Sequence, residues 1–253
     1  MSVANKLLQA AAGGAGDPVY VDDVFSTTLY VGTDGSVVVP TGLDLSDKGG
    51  MIWGKSRSAS QNHRIYDSVR GTQYSLIPNA TSAQSDQGTQ TFGSSSVTLG
   101  AASGIVGSSS YGGPDYVLWS FAKQEKFFDI VTYTGNGSNG GGSGRAIAHN
   151  LGSQPGMIIV KRTDGSGDWY TANLRADGAQ YHFCRLNTTN AKFSNDLIAN
   201  VANSTHVIVD GTSNGGGGSF ANLYGGAQAI NASGATYVMY LFAHNEQEFG
   251  EDS

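Results

Sequence analysis

Residues 116–122 read Tyr-Val-Leu-Trp-Ser-Phe-Ala, and residues 237–243 read Tyr-Val-Met-Tyr-Leu-Phe-Ala. Each stretch is short, rich in aromatic and branched side chains, and apolar at nearly every position, which is typical of a β-strand. Because successive side chains of a strand point to opposite faces of the sheet, such a strand must be covered on both faces. The two stretches therefore predict central strands, one in each half of the chain.

These two stretches belong to a longer internal repeat. Four matched segments keep the same order in both copies, at offsets of 103, 106, about 110 and 121: residues 30–32 with 133–135, 50–55 with 156–161, 97–100 with 207–211, and 116–122 with 237–243. Offsets that rise along the chain indicate insertions in the second copy, and insertions are accommodated in surface loops. The sequence therefore predicts a duplication whose second copy has the longer loops, at 135–144, 163–168 and 211–225, where specialised contacts are expected.

The repeat also sets the expected fold class and domain bounds. About a hundred residues of short strands without alternating helices favour an antiparallel sandwich over a parallel sheet. We predict an all-β protein with two tandem antiparallel β-sandwich, jelly-roll-like lobes. The predicted units are a docking segment at residues 1–23, a first lobe at 24–123, a second lobe at 127–245 and an acidic tail at 246–253.

The N-terminal residues differ in composition from the rest of the chain. Val3, Leu7 and Leu8 fall on one face at helical spacing, and Gly13 follows an Ala-rich stretch. The stretch is too short and too polar for a secretory signal. It predicts a short helical or extended anchor in which these three side chains dock onto a partner.

Composition excludes several classes of partner. Charged residues are 13% of the chain, against about 25% in a typical globular protein, and the net charge is −6. Nucleic-acid binding requires a dense Lys and Arg surface, so no such partner is expected. No apolar run approaches the length of a membrane span, which predicts no membrane insertion. The single Cys184 rules out a disulfide within the chain.

Motifs that would signal catalysis lack their structural context. Residues 135–140 fit G-x-G-x-x-G and residues 211–215 fit G-x-S-x-G, but further glycines follow where both chemistries require a helix. The histidines show no spacing of metal ligands; they are His63, His149, His182, His206 and His244. We therefore predict no catalytic, cofactor-binding or metal-binding residues, and a protein that is not an enzyme.

Three local features leave alternatives open. The loop from Asp164 to Asp168 is either a tight turn, which is favoured, or a calcium site built from carboxylates. Trp169, Tyr170 and Tyr181 either pack in a core or stack on a sugar ring, and they are the candidate residues for partner or glycan contact. Lys161 ends a strand and is expected to return the chain to solvent, with a salt bridge between the copies as the alternative.

Segments throughout the chain resemble a family of phage proteins; they are residues 20–27, 126–137, 149–162 and 237–244. The sequence resembles the Gly- and Ser-rich tail and virion structural proteins of marine tailed bacteriophages, of the cyanophage type. The resemblance implies a virion protein made in the host cytoplasm, with no site residues to carry over. Its implied partners are tail or capsid proteins, copies of itself, and a host surface glycan or protein.

The expected function is a tail-fibre-like or receptor-binding component that attaches by its N-terminus and presents its lobes outward. A head or tail decoration protein without receptor binding is the alternative, and a glycan-degrading enzyme is the least favoured of the three. Composition agrees with a particle component, because a surface with few charges is suited to being covered by neighbouring subunits.

Overall fold

The computed structural model describes residues 19–107, 115–137, 145–174, 180–191, 197–198, 202–209 and 230–244. These residues form strands that pair only antiparallel, so the predicted all-β class is confirmed. A short 3-10 helix, Val21–Asp23, precedes the first strand. The strands are β1 (Phe25–Val31), β2 (Val37–Pro40), β3 (Gly50–Ser56), β4 (Arg64–Asp67), β5 (Tyr74–Ser75), β6 (Ser85–Asp86), β7 (Thr91–Phe92), β8 (Ser96–Leu99), β9 (Asp115–Ala122), β10 (Phe128–Thr134), β11 (Ala146–Ala148), β12 (Pro155–Arg162), β13 (Trp169–Leu174), β14 (Gln180–Arg185), β15 (Leu197–Ile198), β16 (His206–Ile208) and β17 (Thr236–Ala243).

The first lobe is a sandwich of one large and one small sheet. The large sheet has the strand order β1-β9-β3-β4, and the small sheet has the order β2-β8-β7. Alternate residues of the central strand β9, among them Tyr116 and Leu118, are buried with Val39, Val97 and Leu99 of the small sheet. The period of two along β9 thus points every second side chain into the core of the first lobe.

The second lobe repeats this arrangement with a wider sheet. Its large sheet has the order β10-β17-β12-β13-β14-β15, and its small sheet pairs β11 with β16. Tyr237, Met239 and Leu241 of the central strand β17 are buried with Ile147 and Val207 of the small sheet. Both predicted central strands therefore lie inside their sheets.

The remaining faces of the two large sheets pack against each other in a third apolar core. This shared core contains Met51 from the first lobe and Phe128, Ile159 and Tyr240 from the second. The ring of Phe121 lies 5.6 Å from that of Phe128. The lobes therefore stack back to back in four layers, with the large sheets in the middle, and burial of the shared apolar surface stabilises the pair.

Equivalent contacts recur at matched positions of the two lobes. Tyr30 and Tyr133 each stack on the paired tyrosine of the central strand, with ring centroids 5.3 and 5.1 Å apart. Each also donates a hydrogen bond from its hydroxyl to an isoleucine carbonyl, Tyr30 to Ile105 and Tyr133 to Ile230. A duplication predicts this correspondence, and the common origin of the lobes stays a prediction.

Glycine is required where β1 and β10 leave their sheets. A Cβ at Gly32 would collide with the carbonyl of Val106, and a Cβ at Gly135 would collide with the carbonyl of Ala232. Only a residue without a side chain allows the backbone segments to approach this closely. The same close approach is thus built at the same offset of 103 in both lobes.

Each sheet takes its described strands from only one side of residues 123–127, and the domain bounds stay a prediction. Of the predicted docking segment, only residues 19–23 are described, and Val19 packs against the core of the first lobe. The predicted docking residues Val3, Leu7 and Leu8 lie outside the described residues, as does the acidic tail at 246–253.

Candidate functional site

The three aromatic residues that were candidates for glycan contact are buried. Trp169 and Tyr181 are 0% exposed, and Tyr170 is 7% exposed. The indole Nε1 of Trp169 donates to the carbonyls of Ile77 and Ala80 at 3.0 and 3.1 Å. Of the two alternatives left open by the sequence, the burial favours core packing over stacking on a sugar ring, and Trp169 joins the two lobes.

Trp169 contacts a loop of the first lobe, residues 77–84, which we call the linking loop. Lys161 Nζ donates to the carbonyl of Thr81 at 3.1 Å, and the backbone amide of Gln84 donates to the carbonyl of Thr163 at 2.9 Å. Lys161 is 0% exposed, so the expectation that it returns to solvent is wrong. Burial lowers the pKa of Lys161 to about 8, because the charged ammonium has lost its hydration.

A buried polar network also crosses between the lobes. Asp67 Oδ2 accepts hydrogen bonds from Arg70 Nε at 2.6 Å and from the hydroxyl of Tyr240 at 2.7 Å. Asp67 Oδ1 accepts from the backbone amides of Val69 and Arg70 at 3.0 and 2.8 Å. Burial raises the pKa of Tyr240 well above its ordinary value. The carboxylate is occupied by its own neighbours, so the network holds the lobes together and offers no reactive group.

The carboxylates of the Asp164–Asp168 loop have side-chain partners. Arg162 Nε donates to Asp164 Oδ1 at 2.8 Å, and this contact lowers the pKa of Asp164. Asp168 Oδ1 accepts from Asn187 Nδ2 at 2.9 Å. These contacts favour the turn over the calcium site. In the part of the chain that the structure describes, no group of three or more His, Cys, Asp or Glu side chains is placed to hold a metal ion.

The glycine motifs fall largely outside the described residues. Of residues 135–140 only Gly135, Asn136 and Gly137 are described, and they follow β10 as a loop with φ of +72° at Gly137. Residues 211–215 are not described. Of the longer loops expected to make specialised contacts, 163–168 is described, and it packs on the linking loop through the Gly167 amide, which donates to Thr81.

A cavity of about 510 Å³ lies at the edge of the first lobe. It falls within the range of roughly 300–1,000 Å³ that is usual for small-ligand sites. Its polar lining residues are Ser60, Gln61, Asn62, Arg64, Gln87 and Tyr116, and its small or apolar ones are Ala101, Ala102, Gly104, Val106 and Gly107. Among the described residues, this lining contains one basic side chain and no acidic one.

The position of Arg64 at the start of β4 places its side chain at this cavity. Arg64 opens β4, where it pairs with Gly54 of β3, and its Nη1 donates to Ser75 Oγ at 3.2 Å. Gly104 has φ of +69°, and a Cβ there would lie 3.0 Å from Arg64 Nε. Glycine at this position therefore leaves space for the guanidinium beside the 101–107 segment.

Two tyrosines form the buried side of the same region. Tyr66 donates its hydroxyl to the carbonyl of Ser103, and Tyr116 donates to Gln61 Oε1 at 3.3 Å. Burial raises the pKa of Tyr66 to about 12, with Ser75 and Arg64 opposing the rise. Burial also raises the pKa of Tyr116. Both phenols are therefore neutral near pH 7, and among the described lining residues Arg64 alone carries a charge.

Sequence reasoning missed this cavity. The polar run Ser60-Gln61-Asn62-His63-Arg64 between two strands was the available signal, but polar runs occur throughout this Gly- and Ser-rich chain. This run differs from the others because it lies beside residues 101–107, which follow some forty positions later in the chain. That proximity follows from β3 and β9 being neighbours in the sheet.

Fold and cavity together define an all-β protein of two fused sandwiches with a polar cavity on one of them. The chain belongs to the family described as a domain of unknown function, DUF7483, whose model matches residues 21–247. No curated protein matches the chain, and no solved structure matches it. No helix among the described residues has both the length and the hydropathy needed to cross a membrane.

Proposed function

We propose that this protein is a virion structural component of a tailed bacteriophage, tail-fibre-like or receptor-binding, which assembles with other virion proteins and with copies of itself. In this proposal residues 1–23 attach the chain to the particle, and the lobes carry the contact with the host surface. The cavity beside Arg64 is the observation that carries the receptor-binding role, because a concave site with a few convergent polar groups is the usual form of a ligand site.

The back-to-back packing of the lobes also supports a role outside the cell. The shared core and the linking loop join the lobes through apolar contacts and through hydrogen bonds from Trp169, Lys161 and Tyr240. A receptor-binding component must hold its binding surface at a fixed orientation to the particle. Two lobes with a common core meet that requirement better than two lobes on a flexible linker.

Binding of the purified full chain to host cells tests the receptor role. Fluorescently labelled protein is expected to bind the bacterial host of the phage saturably and to compete with infecting particles. A decoration protein would be incorporated into particles but would show no saturable binding to cells. Immunogold labelling of intact particles supplies the location, and label confined to the head would contradict a tail-fibre-like component.

A pair of deletions tests attachment by the N-terminal segment. Deleting residues 1–17 is expected to abolish incorporation into particles, while deleting the acidic tail, residues 246–253, is the matched control and is expected to leave incorporation unchanged. Quantitative immunoblots of purified particles measure both. Normal incorporation of the variant that lacks residues 1–17 would contradict the predicted docking role of Val3, Leu7 and Leu8.

A further inference from the structure

The charge of Arg64 is not balanced by any carboxylate in the part of the chain that the structure describes. Among the described residues, no carboxylate lies within ion-pair distance of Arg64, and its one hydrogen-bond partner is the neutral Ser75. By contrast, three of the other described arginines, Arg70, Arg162 and Arg185, each have an aspartate partner. Arg64 is half-buried at the cavity, so a bound anion would be its natural counterion.

The neighbouring amides add further donors to the cavity. Gln61 uses its Oε1 to accept from Tyr116, and Asn62 uses its Oδ1 to accept from Asn79 Nδ2 at 2.8 Å. Because the oxygen of each amide is occupied, the NH₂ groups of Gln61 and Asn62 remain as donors, and the described residues supply them no acceptor. The cavity thus combines a guanidinium with two amide donors.

One acceptor complements these donors. Gln87 donates its Nε2 to the carbonyl of Asp86 at 2.8 Å, which leaves its Oε1 to accept a hydrogen bond. A ligand that matches this set carries an anionic group for Arg64 and hydroxyls that both donate and accept. A sugar bearing a carboxylate or a sulfate has this combination, whereas a nucleic acid would also require a basic surface that a chain of net charge −6 lacks.

We propose that the cavity lined by Gln61, Asn62, Arg64 and Gln87 binds an anionic sugar residue of a surface polysaccharide. Arg64 holds the anionic group through paired N–H donors, since the planar guanidinium matches the geometry of a carboxylate or a sulfate. Gln61, Asn62 and Gln87 bind the ring hydroxyls. The proposal rests on the receptor-binding function proposed above and names the chemistry of the receptor.

Three sugars that differ only at carbon 6 test the proposal with the full chain: galacturonate, galactose 6-sulfate and galactose. Saturation-transfer NMR and calorimetric titration measure their affinities. We expect one or both anionic sugars to bind, and galactose to bind about tenfold more weakly or worse, which is the effect of losing a charged hydrogen bond. The two anionic arms distinguish a carboxylate ligand from a sulfate ligand.

Variants at Arg64 separate this site from any other. Arg64→Gln is expected to weaken the anionic sugar about tenfold or more, and Arg64→Lys to weaken it less, because it keeps the charge but loses the paired donors. Arg57→Gln is the matched control, since Arg57 is exposed in the same lobe and lies outside the cavity lining. Near-ultraviolet circular dichroism of each variant establishes that it is folded.

The outcomes distinguish this proposal from the one on which it rests. Equal affinity for galactose and galacturonate, no saturable binding of any of the three sugars, or unchanged binding by Arg64→Gln would each overturn the cavity assignment. If that variant still bound host cells like the unmodified protein, the receptor role would stand without the cavity. If the protein bound the anionic sugar through Arg64 but did not bind host cells, the cavity assignment would stand and the receptor-binding role would be contradicted.

Discussion

The two lobes share a framework but differ in how they use an arginine at its edge. In the first lobe Arg64 lies at a cavity and has no carboxylate partner among the described residues. In the second lobe Arg145 lies over the ring of Tyr133 at 5.8 Å and donates to Asn231 Oδ1 at 3.1 Å. Arg64 opens a strand of the large sheet whereas Arg145 precedes a strand of the small sheet, so two lobes with a common strand order place their arginines in different surroundings.

The second lobe is also the larger of the two. Its large sheet adds β14 and β15 beyond the four strands that match the first lobe. The offset between the matched segments rises only from 106 to about 110 across this region, so inserted residues do not account for the two added strands. The sequence pointed to the second copy for specialised contacts, whereas the described cavity with an unbalanced charge belongs to the first lobe.

The largest expected effect comes from breaking the polar link between the lobes. Asp67→Ala is expected to lower the free energy of unfolding by about 3–5 kcal/mol, because it leaves the buried charge of Arg70 without its partner. Urea denaturation measures the loss. Tyr240→Phe is the control, since it removes the hydroxyl that contacts Asp67 and Arg70 across the lobes but leaves that ion pair intact, and it is expected to cost less. A larger loss for Tyr240→Phe would contradict this account.

A matched pair of phenylalanines sharpens the contrast between the lobes at the shared core. Phe128→Ala is expected to cost about 3–5 kcal/mol, because Phe128 is 0% exposed and fills the core between the large sheets. Phe25 occupies the position 103 residues earlier and is only half-buried, so Phe25→Ala is expected to cost clearly less. Thermal and urea unfolding compare the two. Equal losses would mean that Phe128 packs no better than its counterpart.

The stability contributed by the contact between Lys161 and the linking loop depends on pH. Its pKa is about 8 in the folded protein against an ordinary 10.5, so between these values the unfolded chain binds a proton that the folded protein has lost. Stability from this group therefore rises with pH across that window. The difference in unfolding free energy between the unmodified protein and Lys161→Met is expected to grow from about pH 8 to 10.5, measured by urea titrations.

Lys55→Met is the matched control for that measurement, because Lys55 lies near the end of a strand in the first lobe at the position matched to Lys161 in the sequence and is only half-buried. Taking differences against each variant removes the contribution of the tyrosines, which titrate in both proteins. If the difference in unfolding free energy between the unmodified protein and Lys161→Met stayed constant from about pH 8 to 10.5, burial would not lower the pKa of Lys161 in solution.

The smallest effects test the equivalence of the lobes directly. Tyr30→Phe and Tyr133→Phe each remove one hydroxyl that donates to an isoleucine carbonyl, so each is expected to cost about 1 kcal/mol. The sites lie in different lobes, and the double variant is expected to lose the sum of the two. Chemical denaturation of the three variants checks this. A strongly non-additive double variant would mean that the two ends of the molecule are coupled.

Part of this architecture could be predicted from local pattern. The apolar runs of β9 and β17 identified them as central strands, because only a strand covered on both faces tolerates apolar residues on both. Matching Tyr30 with Tyr133 also paired positions that make equivalent contacts. For the three aromatic residues Trp169, Tyr170 and Tyr181 the sequence left core packing and partner contact as alternatives, because a short strand flanked by polar loops does not indicate which surface will cover it.

Local pattern was enough to predict the all-β class and the two central strands, because these depend on the periodicity of side chains within a short stretch. The back-to-back packing of the lobes, the burial of Lys161 and Trp169 against the linking loop, and the approach of Arg64 to residues 101–107 at a cavity emerged only from the three-dimensional structure. Those outcomes depend on which faces meet across long separations in sequence, and an alternation of polar and apolar residues specifies a face without specifying its partner.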